Sequence, residues 1–183
     1  MSRITIPAEI DAAPEASRGL LQAVKSKVGF APNLYKVLSH SPAALEGALG
    51  LSAALGKGAL DALTRERIAL AVANVNGCDY CNAAHTAIGG GLKLDAAEIE
   101  ANRRGHSNDG RIDTAVAFAR KVAVSRADVT EADIQAVRLA GYSDAQVVEI
   151  VAHVGLNVLT NYVNEVFKTP VDFPATAPAT RVA

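Results

Sequence analysis

The sequence predicts an all-α protein, a multi-helix bundle forming one domain over residues 1–183. Three observations carry that reading. Half of the residues are hydrophobic while aromatics are few, and Ala, Leu and Val dominate; Ala and Leu favour helix, and small side chains let helices approach closely. Helix starts and stops are legible as capping residues before apolar runs and glycines after them. Sustained period-2 alternation of β-branched residues is missing throughout, so no sheet is expected.

The elements follow in order. A first helix runs from about Pro14 to Val28, with Leu20, Leu21, Val24 and Val28 on one side, and Gly29-Phe30-Ala31-Pro32-Asn33 breaks it. Ser41-Pro42 pairs an N-cap with proline at the first helical position and opens a helix ending near Gly56. Thr64 caps the next, which carries Glu66, Ile68, Ala69, Val72 and Ala73 until Asn76-Gly77 stops it. Cys78 to Ile88 forms another, closed by Gly89-Gly90-Gly91, which follows a helix and so reads as a stop rather than a phosphate cradle. Asp95 with Glu98 has the capping-box pattern for a short helix ending at Arg104-Gly105. The polar loop His106 to Gly110, with a solvated His106, leads to a helix through Ala115, Phe118, Ala119 and Val122. Thr130 opens a further helix ended by Gly141, and the Ser143/Gln146 capping box starts the longest, through about Phe167. A tail from Pro170, rich in Pro, Ala and Thr, is expected to wrap a partner or to fray. An echo between Leu51–Ile68 and Phe118–Ile134 hints at two related helical halves.

Charge and hydropathy exclude several classes. Lys and Arg number 18 against 19 Asp and Glu, and no basic stripe is interleaved with aromatics, so nucleic acid is not an expected partner. Glu9, Asp11 and Glu15 stand where a signal peptide would need a basic start and an apolar run. The stretch Val147–Val163 is interrupted by Glu149, His153, Asn157 and Asn161, too polar for an unassisted membrane span. The expected location is the cytoplasm.

The chemistry concentrates at Cys78-Asp79-Tyr80-Cys81, which holds both cysteines of the chain, with His85 one turn beyond. A disulfide here closes so short a loop that it stabilises by only roughly 2 kcal/mol, against about 3 for a 15-residue loop. Such a pair is a poor staple and a good redox couple. Positions i, i+3 and i+7 share a helix face, so Cys78, Cys81 and His85 project together. Cys78 lies at or near the helix N-terminus, where the dipole favours a thiolate, and Cys81 benefits less. His85, at i+4 from Cys81, is placed to take its proton. That divides the work: Cys81 as nucleophile, Cys78 as resolving partner. Glu66, on the preceding helix within Arg65-Glu66-Arg67, orients His85 or relays a proton if the two helices fold together; taken alone it reads as a surface charge paired with its arginine neighbours.

A metal site is the competing use of Cys-x-x-Cys-x-x-x-His. Zinc needs a fourth ligand, His40, His106 and His153 are isolated, and three ligands along one helix converge poorly, so redox is favoured. On the last helix His153, Asn157, Asn161 and Asn164 form a polar stripe. It either lines the cleft at the thiols or, as buried amides more commonly do, bridges helices or subunits. Phe30 and Pro32 either shape an apolar entrance near the thiols or pack a turn on the core.

The run Glu66-Arg67-Ile68-Ala69-Leu70 … Asn76-Gly77-Cys78-Asp79-Tyr80-Cys81-Asn82-Ala83-Ala84-His85 resembles the AhpD-like alkylhydroperoxidases of the carboxymuconolactone decarboxylase superfamily. Phe30-Ala31-Pro32-Asn33 with Ser41-Pro42, and Leu159 to Asn164 through Thr169 to Pro174, resemble its peroxidase-related branch. The resemblance implies an AhpD-like helical bundle assembling as a homo-oligomer, trimer or hexamer. It implies an antioxidant activity, thiol-dependent reduction of a small hydroperoxide, with Cys81 attacking, Cys78 resolving, and His85 and Glu66 relaying protons. No cofactor is needed; an external dithiol, lipoyl or thioredoxin-like, resets the pair. Tyr80 stands where the best-characterised members have a second histidine; it is a weaker base near neutral pH, although its hydroxyl can hold a supporting hydrogen bond. Members that decarboxylate carboxymuconolactone lack the cysteine pair. Two alternatives remain: a general dithiol–disulfide oxidoreductase, and a non-catalytic helical protein whose thiols bind metal or serve assembly.

Overall fold

A computed structural model describes residues 2–180 of the chain. Every regular element among them is helical: a 3-10 turn at Ile10–Ala12, then α1 (Glu15–Val28), α2 (Asn33–Leu38), α3 (Pro42–Leu55), α4 (Ala62–Val75), α5 (Asp79–Gly91), α6 (Ala96–Arg103), α7 (Gly110–Ser125), α8 (Glu131–Leu139) and α9 (Asp144–Phe167). The all-α expectation is met.

Helix α4 is the axis of the bundle. Its residues from Ile68 to Val75 are all buried, as expected of a helix that is apolar all round, and it packs against α5, α6, α7 and α9. On one side Ile68 and Val72 join Phe118 and Val122 of α7, Val137 of α8 and Ile150 of α9. On the other, Ala73, Cys78, Tyr80 and Cys81 pack with Leu21, Leu34, Leu38 and Leu45 from the first three helices. The thiols therefore sit in the second core, between the α4–α5 pair and the N-terminal layer.

Several boundaries depart from expectation. Helix α2 fills the segment after Asn33 that the sequence reading passed over. Thr64 does not cap α4: Asp61 does, accepting from the Thr64 N–H at 2.8 Å, while the Thr64 hydroxyl donates to the same carboxylate. Cys78 precedes α5 as its N-cap, and Gly89-Gly90-Gly91 remain inside that helix as its last residues, with Leu92 as C-cap. Gly89 is buried, and a Cβ there would come within 3.2 Å of Leu94, so close approach explains that glycine rather than helix termination. The Ser143/Gln146 capping box is present, and Thr130 forms a second one with Asp133.

The Asp95/Glu98 pair is only half a capping box. Asp95 accepts from the Glu98 N–H at 2.7 Å, but the Glu98 side chain turns inward. It accepts from Arg67 Nε at 2.8 Å, Asn102 Nδ2 at 2.9 Å, Ser107 Oγ at 2.6 Å and the Asn108 N–H at 2.9 Å. Burial works against this carboxylate, yet the donors outweigh it and hold its pKa at about 2. Glu98 thereby ties α4 to α6 and to the loop before α7, and it occupies Arg67. The tail also departs from expectation: through Thr180 it lies back on its own chain. Asp172 accepts from the Asn33 N–H at 2.7 Å, Arg103 donates to the carbonyls of Ala177 and Pro178 at 2.8 Å, and the Thr180 N–H donates to Asn74 at 2.9 Å. Residues 181–183 of the expected tail lie outside the described residues.

Because the folded pKa of Glu98 lies below its ordinary value of 4.5, its contribution is present above that pH and lost as pH falls towards 2. Denaturation of Glu98→Gln at neutral pH should show a loss of about 1–3 kcal/mol from the donors left short of an acceptor. The gap to wild type should narrow as pH drops from about 4.5; a constant gap contradicts the role.

Candidate active site

The site begins with the turn between α4 and α5. Gly77 adopts a left-handed φ of 65°; its N–H donates to Asn74 O at 3.1 Å and the Cys78 N–H donates to Ala73 O at 3.0 Å. This is a Schellman stop, in which glycine avoids the Cβ penalty of left-handed backbone. Cys78 follows at once as the N-cap of α5, its sulfur accepting from the Cys81 N–H at 3.2 Å. With no residues to spare, α5 folds back along α4. The turn is anchored to α9 by Asn76 Nδ2, which donates to Asn161 Oδ1 at 2.8 Å.

That reversal brings Glu66 to His85, Oε2 to Nδ1 at 2.7 Å, with both side chains largely buried. The arginine neighbours of Glu66 are engaged elsewhere, Arg65 with Leu60 O and Arg67 with Glu98. The reading of Glu66 as a surface charge paired with those arginines is thus corrected. All four expected residues, Glu66, Cys78, Cys81 and His85, come together at the α4–α5 reversal.

The two cysteines are free, buried and unlike one another: Cys78 is 0% exposed and Cys81 3%. Burial works against a Cys81 thiolate. It is outweighed by hydrogen bonds from Cys78 and from Asn164, whose Nδ2 lies 3.2 Å from Sγ, by the charge of His85 and by Asn161, so the Cys81 pKa is lowered. Cys78 moves the other way, because its hydrogen bond to Cys81 and its burial both favour the protonated thiol. The expectation that the helix dipole would favour Cys78 as thiolate is not met: the surroundings favour the thiolate at Cys81 instead. Burial also opposes a charged His85, but the charge and hydrogen bond of Glu66, with Cys81 beyond, raise its pKa. The two shifts favour a thiolate at Cys81 and an imidazolium at His85, with the Glu66 carboxylate behind the imidazole.

A cavity of about 190 Å³ reaches this pair. Cys81 and His85 lie on its wall and Cys78 does not, while Pro32, Leu34, Tyr35, Ala84, Ile88, Leu156 and Phe173 make it mainly apolar. Pro32 therefore shapes an entrance, and Phe30 supports it indirectly, its ring edge-on to Phe173 at 5.6 Å. Among the described residues no three His, Cys, Asp or Glu side chains are disposed to hold one metal ion.

Tyr80 has a different task from proton transfer. Its hydroxyl accepts from the Leu34 N–H at 3.2 Å and interacts with Asp172, which itself accepts from the Asn33 N–H. Tyr80 and Asp172 thus satisfy the first free N–H groups of α2, which has no side-chain cap of its own. Burial pushes the phenol pKa far up, and Asp172 adds to it. Its ring also meets Phe173 edge-to-face at 5.6 Å. Of the polar stripe on α9, Asn157 and Asn164 face the site, Asn161 bridges to the turn, and His153 is buried with Nε2 unpaired. Phe173 and Tyr35 were missed as site residues; Phe173 stood only within the Thr169 to Pro174 stretch of the resemblance, and no local signal marked Tyr35.

The carboxymuconolactone decarboxylase family model matches residues 42–120, the stretch that carries Glu66, both cysteines and His85. A peroxidase-related protein from Ralstonia eutropha JMP134, described as an alkylhydroperoxidase AhpD core, is 28% identical with a TM-score of 0.84, covering 93% of this chain and 92% of that one. A peroxidase-related protein from Silicibacter sp. TM1040 is 26% identical with a TM-score of 0.80, covering 96% and 92%. The debrominase Bmp8, at 19% identity, 94% coverage of each chain and a TM-score of 0.78, shares the fold. No curated protein sequence matches the chain.

Tyr80→Phe removes the acceptor for the buried Leu34 N–H and should cost about 1–3 kcal/mol in a denaturation experiment. The reaction rate of Cys81 with a small disulfide reagent should be unchanged near neutral pH. A large rate loss in a folded variant would place Tyr80 in the proton relay.

Proposed function

Because the chain belongs to the AhpD-like carboxymuconolactone decarboxylase superfamily, we propose that it is a thiol-dependent peroxidase that reduces small hydroperoxides through Cys81 and Cys78. The observation that carries this reading is the asymmetry of the pair: Cys81, lowered in pKa and beside His85, lines the cavity, while Cys78 is sealed behind it.

In this reading the Cys81 thiolate attacks the terminal oxygen of the hydroperoxide. The S–O bond forms as the O–O bond breaks, two electrons pass from sulfur to the peroxide, and the alkoxide leaves with a proton from the His85 imidazolium. Glu66 holds His85 by Nδ1, so Nε2 is the atom that delivers the proton. Formation of the sulfenic acid removes the charge to which the Cys78 thiol donates, releasing the hold that keeps Cys78 protonated. Cys78 then attacks Cys81 sulfur, giving a disulfide and water. An external dithiol, lipoyl or thioredoxin-like, restores both thiols by exchange. A cavity of about 190 Å³ suits a small molecule or a slender dithiol arm, which favours peroxide reduction over exchange with the surface disulfides of folded proteins.

Assembly as a trimer or hexamer belongs to the same proposal. It is supported by an exposed apolar row on α9, Val148, Val151, Leu159, Tyr162 and Val166, larger than isolated surface hydrophobics require. No helix among the described residues is long and apolar enough to cross a membrane.

Cys81→Ser should abolish peroxide consumption in the presence of a dithiol. Cys78→Ser should still perform one turnover and accumulate a sulfenic acid detectable by dimedone and mass spectrometry. Peroxide consumption by Cys81→Ser at the wild-type rate overturns the assignment; turnover of mixed disulfides but not of hydroperoxides moves the protein to the general oxidoreductase class.

The pH profile tests the relay. Activity should rise as Cys81 ionises and fall as His85 loses its proton above its raised pKa. Glu66→Gln removes the charge that raises the His85 pKa, so the alkaline limb should move to lower pH. His85→Ala should cost about 10²–10⁴ in rate; an alkaline limb unmoved in Glu66→Gln counts against the relay.

A further inference from the structure

We propose that Asn164 is a catalytic residue: its side-chain amide donates to the Cys81 sulfur and holds that sulfur as the thiolate. The inference rests on the thiol-chemistry reading of Cys81 and adds a residue to it from α9, an element separate from those that carry Glu66 and His85.

Asn164 is 2% exposed, and its Nδ2 lies 3.2 Å from Cys81 Sγ. Its Oδ1 is buried with no hydrogen-bond partner. The sulfur is therefore the polar contact that this side chain makes. That distinguishes Asn164 from Asn161, one turn earlier, whose Oδ1 bridges to Asn76 and so has a structural task. A neutral thiol is a weak acceptor, and burying an amide to reach one is unfavourable. The contact repays burial only when the acceptor carries charge, because an N–H donating to an anion makes a markedly stronger bond. A buried amide with one half unpaired and the other aimed at the reacting sulfur is arranged for an anionic partner.

The groups around the sulfur have distinct parts. On α5, Cys78 donates its thiol proton and His85 supplies positive charge; from α4, Glu66 acts through His85. From α9, Asn164 donates directly, Asn161 adds a weaker contribution of the same sign, and Glu165 is felt at Cys78. From the tail, Asp172 reaches the region through Tyr80. Asn164 differs from His85 in being neutral, so its help does not vanish at high pH. It also stays in place when His85 surrenders its proton to the leaving alkoxide.

The test is a titration of the reduced protein by thiolate absorbance at 240 nm, which requires no substrate, followed by the pH profile of peroxide consumption. Asn164→Leu keeps the volume and removes the donor; the Cys81 pKa should rise by about one pH unit. At a pH below both values the thiolate falls about tenfold, and the more basic sulfur is about threefold more nucleophilic, so the rate falls about threefold. Above the new pKa the variant should match or exceed wild type, and the two profiles cross. A merely structural role lowers the whole profile without moving it. Asn164→Asp, nearly isosteric, places a carboxylate against the thiolate and should raise the pKa further; it serves where the leucine variant fails to fold. A Cys81 pKa unchanged or lowered in both folded variants overturns the role of Asn164 and leaves the peroxidase reading intact. A wild-type protein with no thiolate near neutral pH overturns both.

Discussion

A buried sulfur that its neighbours push towards the thiolate, set in an apolar wall, organises the rest of this structure. Cys81 is 3% exposed, and burial alone would keep it a thiol. Its lowered pKa therefore reports a set of groups brought to it from separate parts of the chain: Cys78 from the turn before α5, His85 from the next turn of that helix, and Asn164 from α9. Glu66 reaches the sulfur only through His85. The imidazolium is itself opposed by burial and needs Glu66; Glu66 is available because Arg65 and Arg67 are occupied by Leu60 O and Glu98.

Local backbone rules place the pieces. The Schellman turn at Gly77 and the N-cap at Cys78 are consecutive, so the reversal from α4 to α5 has no adjustable residues. Rigidity at that point converts a spacing along the chain into a distance of 2.7 Å between Glu66 and His85. The long helix α9 closes the other side and is tied to the turn through Asn76 and Asn161. The tail completes the cavity with Phe173, seated between Phe30 and Tyr80. What the tail covers is the same layer, α2 and Tyr80, that forms the mouth.

Much of this was legible beforehand where the cause is local. The capping box at Ser143, the helix stop at Asn76-Gly77 and the shared face of Cys81 and His85 depend on residues within a turn or two of one another. The reading failed where a distant group decides. Gly89-Gly90-Gly91 reads as a stop, but all three lie inside α5, and Leu94 packs close on Gly89. Glu98 reads as half of a capping box, but Arg67, Asn102 and Ser107 draw its carboxylate inward. Helix α2 was invisible because its caps, Asp172 and Tyr80, come from far along the chain. The roles of the two cysteines were legible from the place of Cys81 beside His85, but the dipole argument favoured Cys78, because the dipole of α5 is a local feature and Asn164 is not.

The central claim is that one sulfur of the pair is charged and reachable while the other is protonated and sealed. Alkylation of the reduced protein by limiting iodoacetamide at neutral pH, resolved by peptide mass spectrometry, measures this directly. Carbamidomethyl label is expected on Cys81 well before Cys78. Equal labelling of the two, or label appearing first on Cys78, would contradict it.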